Sequence, residues 1–584
     1  MNRYVVIALL ALGAAALAWV LFRRTPPAHA EYERIVDLDV GLDGTARDVW
    51  RSMGEGSGVL PLSLVLSLRN ADTGEDYLVG VGDYGLVPHS SNTLGLPIGL
   101  AVDPQFGDGS GLQMVGVNCS GCHSGMWSYR GTAMVIDGAP NMMDVERLFD
   151  ILTRSVEASL LDPVRLLELV ARVAGSEAAL EDGGPAFELA PEALTLLGRL
   201  THPEADSAHR ETKEHVQTVL HGAYHASTPA EAEEVIRLGM GAVEDAVGHP
   251  SHAPHARSII QTFGRDLQWL EDRVGTLKVI VEAFRNETAA GPGRADSFDI
   301  IWDLLLQHDS VIPLSAPVSI PDLFGYDGFH WVHWDGNSST VFARDFAQAV
   351  ALGAGFDPVT ARSSVQPRAV MAIEEAAREI RPPAWPEDIL GSIDRELAEE
   401  GRQVFDERCA GCHRADTATY VTAEEIGTDP GRVRQFGTLR AGGKTYAELL
   451  NELGARLMAA GFQEHHVTAE EVHAMERASE PVWRTTGAYH ARSLRGIWAS
   501  PPYLHNGSVP TLWHLLQPPE QRPDSFPVGR ELDPEHVGLD LARQPEGTWV
   551  FHTRYGGNSN AGHLFGTDLS DPLKRALVEY LKTR

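Results

Sequence analysis

The chain has 584 residues, enough for roughly two or three domains, and its 43% apolar content is that of a globular protein rather than a disordered one. Its 48 Lys plus Arg are outnumbered by 80 Asp plus Glu, giving a formal net charge of −32 at pH 7. A field of that sign opposes a phosphate backbone and argues against nucleic acid as a partner, while it steers small basic proteins toward the surface.

Met1, Asn2 and Arg3 precede an apolar run from Tyr4 to Phe22 that Arg23 and Arg24 close. With no polar face and a place at the chain's start, the run reads as a membrane-targeting segment within residues 1–30 rather than a core helix. Its length just spans hydrocarbon, which favours an uncleaved anchor in the inner membrane. Ala28-His29-Ala30 supplies a small-x-small site for the alternative, a cleaved signal peptide.

From Gly80 to Asp137 the sequence is rich in glycine, contains proline and has few helical runs, so loops are expected to hold what it carries. It carries Cys119-Ser120-Gly121-Cys122-His123. The pattern returns once, as Cys409-Ala410-Gly411-Cys412-His413, and together the two use all four cysteines of the chain. Two thiols three positions apart reach the two vinyl groups of one porphyrin, and the adjacent histidine then falls beneath the iron, so C-x-x-C-H is the attachment signature of haem c. Both motifs present in one chain predict two covalently bound haem c groups, with Cys119, Cys122, His123, Cys409, Cys412 and His413 holding them and His123 and His413 ligating iron. A zinc site built from both cysteine pairs is a weaker reading, because each pair carries the trailing histidine behind an export segment. Haem attachment of this kind takes place outside the bacterial cytoplasm, which predicts a periplasmic or secreted body.

From Val145 to Phe284 the spacing turns helical and predicts a helical insert at about 145–290. Further on, Phe324 to Trp334 packs seven aromatic or imidazole side chains into eleven residues. Such a run fits a buried core strand, or the wall of an apolar pocket over an open iron, or a segment whose His330 or His333 closes that iron. Met142 and Met143 are further candidates for the same position, and Asp327 and Asp335 are the carboxylates nearest the aromatic run.

Arg381-Pro382-Pro383-Ala384-Trp385-Pro386 predicts a stiff, non-helical linker between a domain at 31–380 and another at 381–584. Ile389 to Arg408 has helical spacing and leads straight into the second motif, and Leu573, Leu577, Tyr580 and Leu581 mark a last helix behind Ser570-Asp571-Pro572; the two are expected to cross. For the second iron's remaining position the candidates are His505, His563, Met458 and Met475. The glycine-rich approach to His563, Gly557 to Gly562, favours it, since glycine lets backbone come close to a porphyrin face.

These residues carry a resemblance. Val117 to Gly125, Ile136 to Asp144, Gly293 to Asp296, Pro317 to Pro321, Gly557 to Leu569 and above all Gly496 to Leu512 resemble the diheme rubber oxygenases and their relatives, a branch of the diheme cytochrome c peroxidase superfamily. The resemblance implies a mainly α fold of two cytochrome c-type haem domains with long loops and little sheet. It implies an active-centre haem at His123, whose distal side is lined by aromatic residues such as Phe324, Trp331 and Trp334, and a second haem closed by His413 and His563 that transfers electrons. It also implies oxidative cleavage, with O2, of double bonds in an apolar substrate such as polyisoprene, giving aldehyde and ketone ends. Two features depart from the family pattern: the long separation of the motifs, mostly the insert, and His333 between Trp331 and Trp334 where a glutamine is usual. An enzyme that reduces H2O2 with electrons from a small redox protein, and a non-enzymatic diheme electron carrier, are the alternatives.

Overall fold

The computed structural model describes residues 32–103, 113–161, 288–296, 316–325, 331–339, 341–355, 362–413, 419–475 and 482–584, with isolated positions between them. The apolar run 4–22, His330, Asp327 and most of the proposed insert lie outside the described residues. No helix among the described residues is long and apolar enough to cross a membrane.

The first motif is held by strands, which corrects the expectation of loops. Strand β1 (Arg34–Asp37) is followed by helix α1 (Gly44–Ser52) and by β2 (Gly58–Pro61), β3 (Leu100–Asp103) and β4 (Met114–Val117). Helix α2 (Cys119–His123) is the motif itself, and β5 (Ser124–Tyr129) and β6 (Thr132–Asp137) come next. One antiparallel sheet runs β2-β4-β3, and β1-β6-β5 forms a second in which β1 pairs parallel. Arg130 and Gly131, both at positive φ, make the tight turn that joins β5 to β6. These strands are only four to six residues long, and β4, β5 and β6 are buried on both faces, so they lack the alternation that would announce them.

Helix α2 is thus clamped between the end of one sheet and the start of the other. Asn118 caps it by accepting from Ser120 N, and its amide donates to Trp50 O and Met53 O at the end of α1. The carbonyls of Gly121, Cys122 and His123, orphaned at the helix end, accept from Asn141 Nδ2, Asn141 N and Gly138 N. A Cβ on Gly99 would lie 2.1 Å from Gly121 Cα, so only glycine permits this approach. Arg51 pairs bidentately with the buried Asp137, which also accepts from Ser124 Oγ, and Trp50 Nε1 donates to that same hydroxyl.

Helix α3 (Val145–Leu161) opens the proposed insert. Helices α4 (Val341–Ala351) and α5 (Pro367–Glu379) pack against each other, and α5 also packs on α1. The proline linker is extended, as its composition predicts, and Arg381 N donates to Val40 O. It does not separate two cores: Trp50 and Trp127 share one apolar cluster with Trp385, Phe405 and Leu577. After the linker a short turn, Glu387–Leu390, ends at Gly391, and helix α6 begins at Arg395 rather than Ile389, capped by Asp394. α6 (Arg395–Arg408) delivers the second motif, and after strands β7 (Thr419–Thr422) and β8 (Ala488–Ala491), which pair antiparallel, the final helix α7 (Asp571–Leu581) packs across α6.

Candidate haem centres

His123 is buried, and its Nδ1 lies 2.9 Å from Pro321 O. A carbonyl can only accept, so Nδ1 carries the proton and Nε2 keeps its lone pair, the tautomer an iron needs. Burial pushes this imidazole down to about 3 and keeps it neutral. His413 repeats the arrangement, Nδ1 donating to Arg492 O at 2.8 Å, and burial lowers its pKa too.

His123 and Cys119 open on a cavity of about 80 Å³, walled in part by Trp50, Trp331, His333, Arg344, Asp345 and Glu374. The aromatic run is divided, which corrects the expectation that Phe324, Trp331 and Trp334 wall one pocket. Trp331 reaches this cavity, with the Arg484 guanidinium 3.6 Å above its ring. The chain then reverses at His333, whose φ is +71°, and Trp334 turns toward the other centre, its Nε1 donating to Ser319 O at 2.7 Å. Phe324 is core: it packs under Gly138 and Gly496, where no larger residue would leave room for its ring. Met142 and Met143 are likewise buried away from the cavity, in two different apolar clusters.

His333 lines the cavity but has both ring nitrogens engaged. Nδ1 is 2.7 Å from Asn337 Oδ1, and Nε2 accepts from Arg344 Nε at 3.0 Å. Burial first, then the Arg344 charge, holds it well below the usual histidine range. Arg344 also pairs with Asp345 at 2.6 Å, and burial raises the Asp345 carboxyl despite that partner. Asp335, considered from sequence as a carboxylate for this centre, lies elsewhere, accepting from Asn337 Nδ2 with Arg432 beside it.

The second motif opens on a larger cavity of about 310 Å³, whose wall includes Leu504, Leu512, Leu516, Phe565, Leu577 and Leu581. The imidazoles of His413 and His563 face each other across it with ring centroids 6.2 Å apart. That is the span of two imidazoles on one metal, each nitrogen about 2 Å from the ion and each ring centre about 1 Å further out. His563 Nδ1 is buried with no hydrogen-bond partner among the described residues, and burial lowers this ring's pKa to about 4. An apolar cleft with two thiols at its edge and two neutral imidazoles at metal-bridging distance fits a haem c. His505 also lines the cleft, but it stacks on Tyr489 at 4.2 Å. Met458 and Met475 pack in the other apolar cluster.

The two cavities share a wall. Pro321, Asp322, His490 and Arg492 line both. The model of the family described as RoxA-like, cytochrome c-like matches residues 488–527, which contain β8, Arg492 and the wall of the second cleft from Leu494 to Leu516. "Uncharacterized protein y4iM" of Sinorhizobium fredii (strain NBRC 101917 / NGR234) is 32% identical over 333 residues, 51% of this chain and 71% of the relative. The chain belongs to the family of y4iM and carries a RoxA-like, cytochrome c-like segment at residues 488–527. "Uncharacterized protein y4iJ" of the same strain is 28% identical over 572 residues, 85% of this chain and 83% of its own length. A RoxA-like c-type cytochrome binds haem c covalently and has an oxidoreductase-type role.

Of the site residues read from sequence, the structure brings His413 and His563 together and sets Trp331 beside His123, and it separates Phe324 and Trp334 from that pair. Arg344, Asp345, Glu374 and Arg492 were missed. The first three sit on amphipathic helices, where charge ordinarily marks the solvated face. Arg492 lies outside the segments on which the family resemblance rests, and its partner Asp322 is one residue beyond Pro317 to Pro321.

Proposed function

We propose that this cytochrome is a diheme oxidoreductase in which the haem held by Cys119, Cys122 and His123 is the reactive centre and the haem held by Cys409, Cys412, His413 and His563 passes electrons to it. The observation that carries the reading is an asymmetry. His413 has an imidazole facing it at metal-bridging distance, whereas His333, the imidazole in the cavity of His123, is bound at both nitrogens by Asn337 and Arg344. The bound groups supply redox-active iron; the chain supplies ligands, shape and protons.

The substrate in this reading is an apolar alkene cleaved with O2. Trp50, Trp331 and Ile373 give the reactive cavity apolar walls that exclude water. A second reading, reduction of H2O2, is favoured by Arg344, Asp345 and Glu374 in the same cavity, because peroxide chemistry needs a group that moves a proton between the two oxygens. In the second reading a small redox protein donates the two electrons that each H2O2 consumes, whereas O2 cleaving an alkene into two carbonyls needs no net donor; in both, the body of the protein lies outside the cytoplasm, tethered through residues 4–22 where that segment is retained.

The deciding measurement is a carbon monoxide titration of the fully reduced, haem-loaded protein. One CO per chain supports a single open iron. None would close both centres and leave an electron carrier, and two would remove His563 as a ligand. With one CO bound, carbonyl ends released from polyisoprene latex under O2 support the alkene reading. Peroxide-dependent oxidation of a reduced small cytochrome, without latex cleavage, replaces it with the second.

A further inference from the structure

The two histidines that follow the cysteine pairs are 290 positions apart in sequence, yet a short run of bonds connects them. His123 Nδ1–H donates to Pro321 O at 2.9 Å. One peptide on, Asp322 O accepts from Arg492 Nη2 at 2.5 Å. Arg492 in turn offers its own carbonyl to His413 Nδ1–H at 2.8 Å. The guanidinium is held in place: it is 15% exposed and lies 5.3 Å from the centroid of the Trp334 ring, whose indole N–H is fixed on Ser319 O. Arg492 and Asp322 also stand in the wall common to both cavities.

We propose that Arg492 is a positioning residue that joins the two centres, closing the route His123–Pro321–Asp322–Arg492–His413 along which they exchange electrons. The inference rests on the diheme reading above. One electron passes at a time: the iron on His413 is oxidised by one equivalent and the iron on His123 is reduced by one, with no bond made or broken and no proton moved. Only the contact from Nη2 to Asp322 O depends on the side chain, because both histidine bonds end on backbone carbonyls that survive any substitution.

The test uses full-length protein carrying two haems per chain, counted as pyridine haemochromes. A laser flash with a deazaflavin reductant injects one electron, and its redistribution between the haems is followed spectroscopically. Arg492→Gln should slow redistribution about tenfold, the factor that about 1.4 kcal/mol of barrier represents, and Arg492→Lys, which keeps a cationic donor, about threefold. In Arg492→Lys, which keeps the charge, both haem potentials and the CO stoichiometry should be unchanged, which a merely structural role would not leave so. A rate for Arg492→Gln within about twofold of wild type overturns the proposal. Should that variant fail to load both haems, Arg492→Lys is held to the same limit. Wild-type protein with one haem overturns both this inference and the diheme reading. Two haems with no CO bound removes the reactive-centre reading and leaves the flash experiment to decide the role of Arg492.

Discussion

His563 is held where unconstrained backbone would not put it. Its φ is +49°, in the left-handed region that costs a residue with a Cβ on the order of 1 kcal/mol or more. The surroundings over-determine that conformation: His563 N donates to Ile426 O, and the mostly buried Arg522 donates to the carbonyls of Asn560, Gly562 and His563. Strain of this sort, kept in place by a buried arginine, fits a side chain that must point at a fixed partner. His563→Ala should therefore open the second iron, raising CO uptake by the reduced protein from one to two per chain. His333→Ala should leave it at one, because His333 is engaged by Asn337 and Arg344. A value of one for both variants would mean that another group closes the second centre. The glycines before His563 made it legible in the sequence, since a close approach of backbone needs them. His333 was not legible as a bound side chain, because Asn337 meets it only through the reversal four residues long and Arg344 only from α4.

Helices α6 and α7 cross at a glycine. A Cβ on Gly401 would lie 1.9 Å from Ala576 O and 2.8 Å from Tyr580 Cβ, so the contact is backbone on backbone, and the Phe405 and Tyr580 rings meet at a tilt just beyond it. Because α6 runs directly into Cys409, its position sets that of the haem attachment. Gly401→Ala must push the pair apart, and a loss of about 1–3 kcal/mol is expected in chemical denaturation of the haem-loaded protein. A gain instead, of the size that Ala earns over Gly in a free helix, would show that the crossing yields without strain. This pair was readable from sequence because each helix repeats its apolar side every three to four residues over several turns. The strands around the first motif were not: Met114–Val117 and Thr132–Asp137 are too short and too uniformly buried to alternate, and a glycine-rich stretch reads as loop. Long-range assembly hid more. The cavity of His123 draws on α1, on the reversal at His333, and on α4 and α5, elements whose convergence no window of sequence contains.

Over the whole molecule the excess of acidic residues bears on the electron donor proposed above. A net charge of −32 creates a negative field that raises the encounter rate of a basic partner and lowers that of an acidic one. Near the second centre Leu564 and Phe565, 56% and 49% exposed beside His563, offer apolar contact at the edge of the cleft. In low salt the field acts across tens of ångströms, whereas at 0.15 M its range shrinks to about 8 Å and only charges at the contact itself still count. Stopped-flow reduction by a basic small cytochrome should thus slow by about tenfold or more between 10 mM and 0.15 M salt, while an acidic donor of similar potential should speed up or stay level. The sign of the difference is the informative part. A basic donor indifferent to salt would mean that the negative charge is spread away from the approach to His563. Contact with Leu564 and Phe565 would then govern the rate, and substituting either by a polar residue would slow both donors alike.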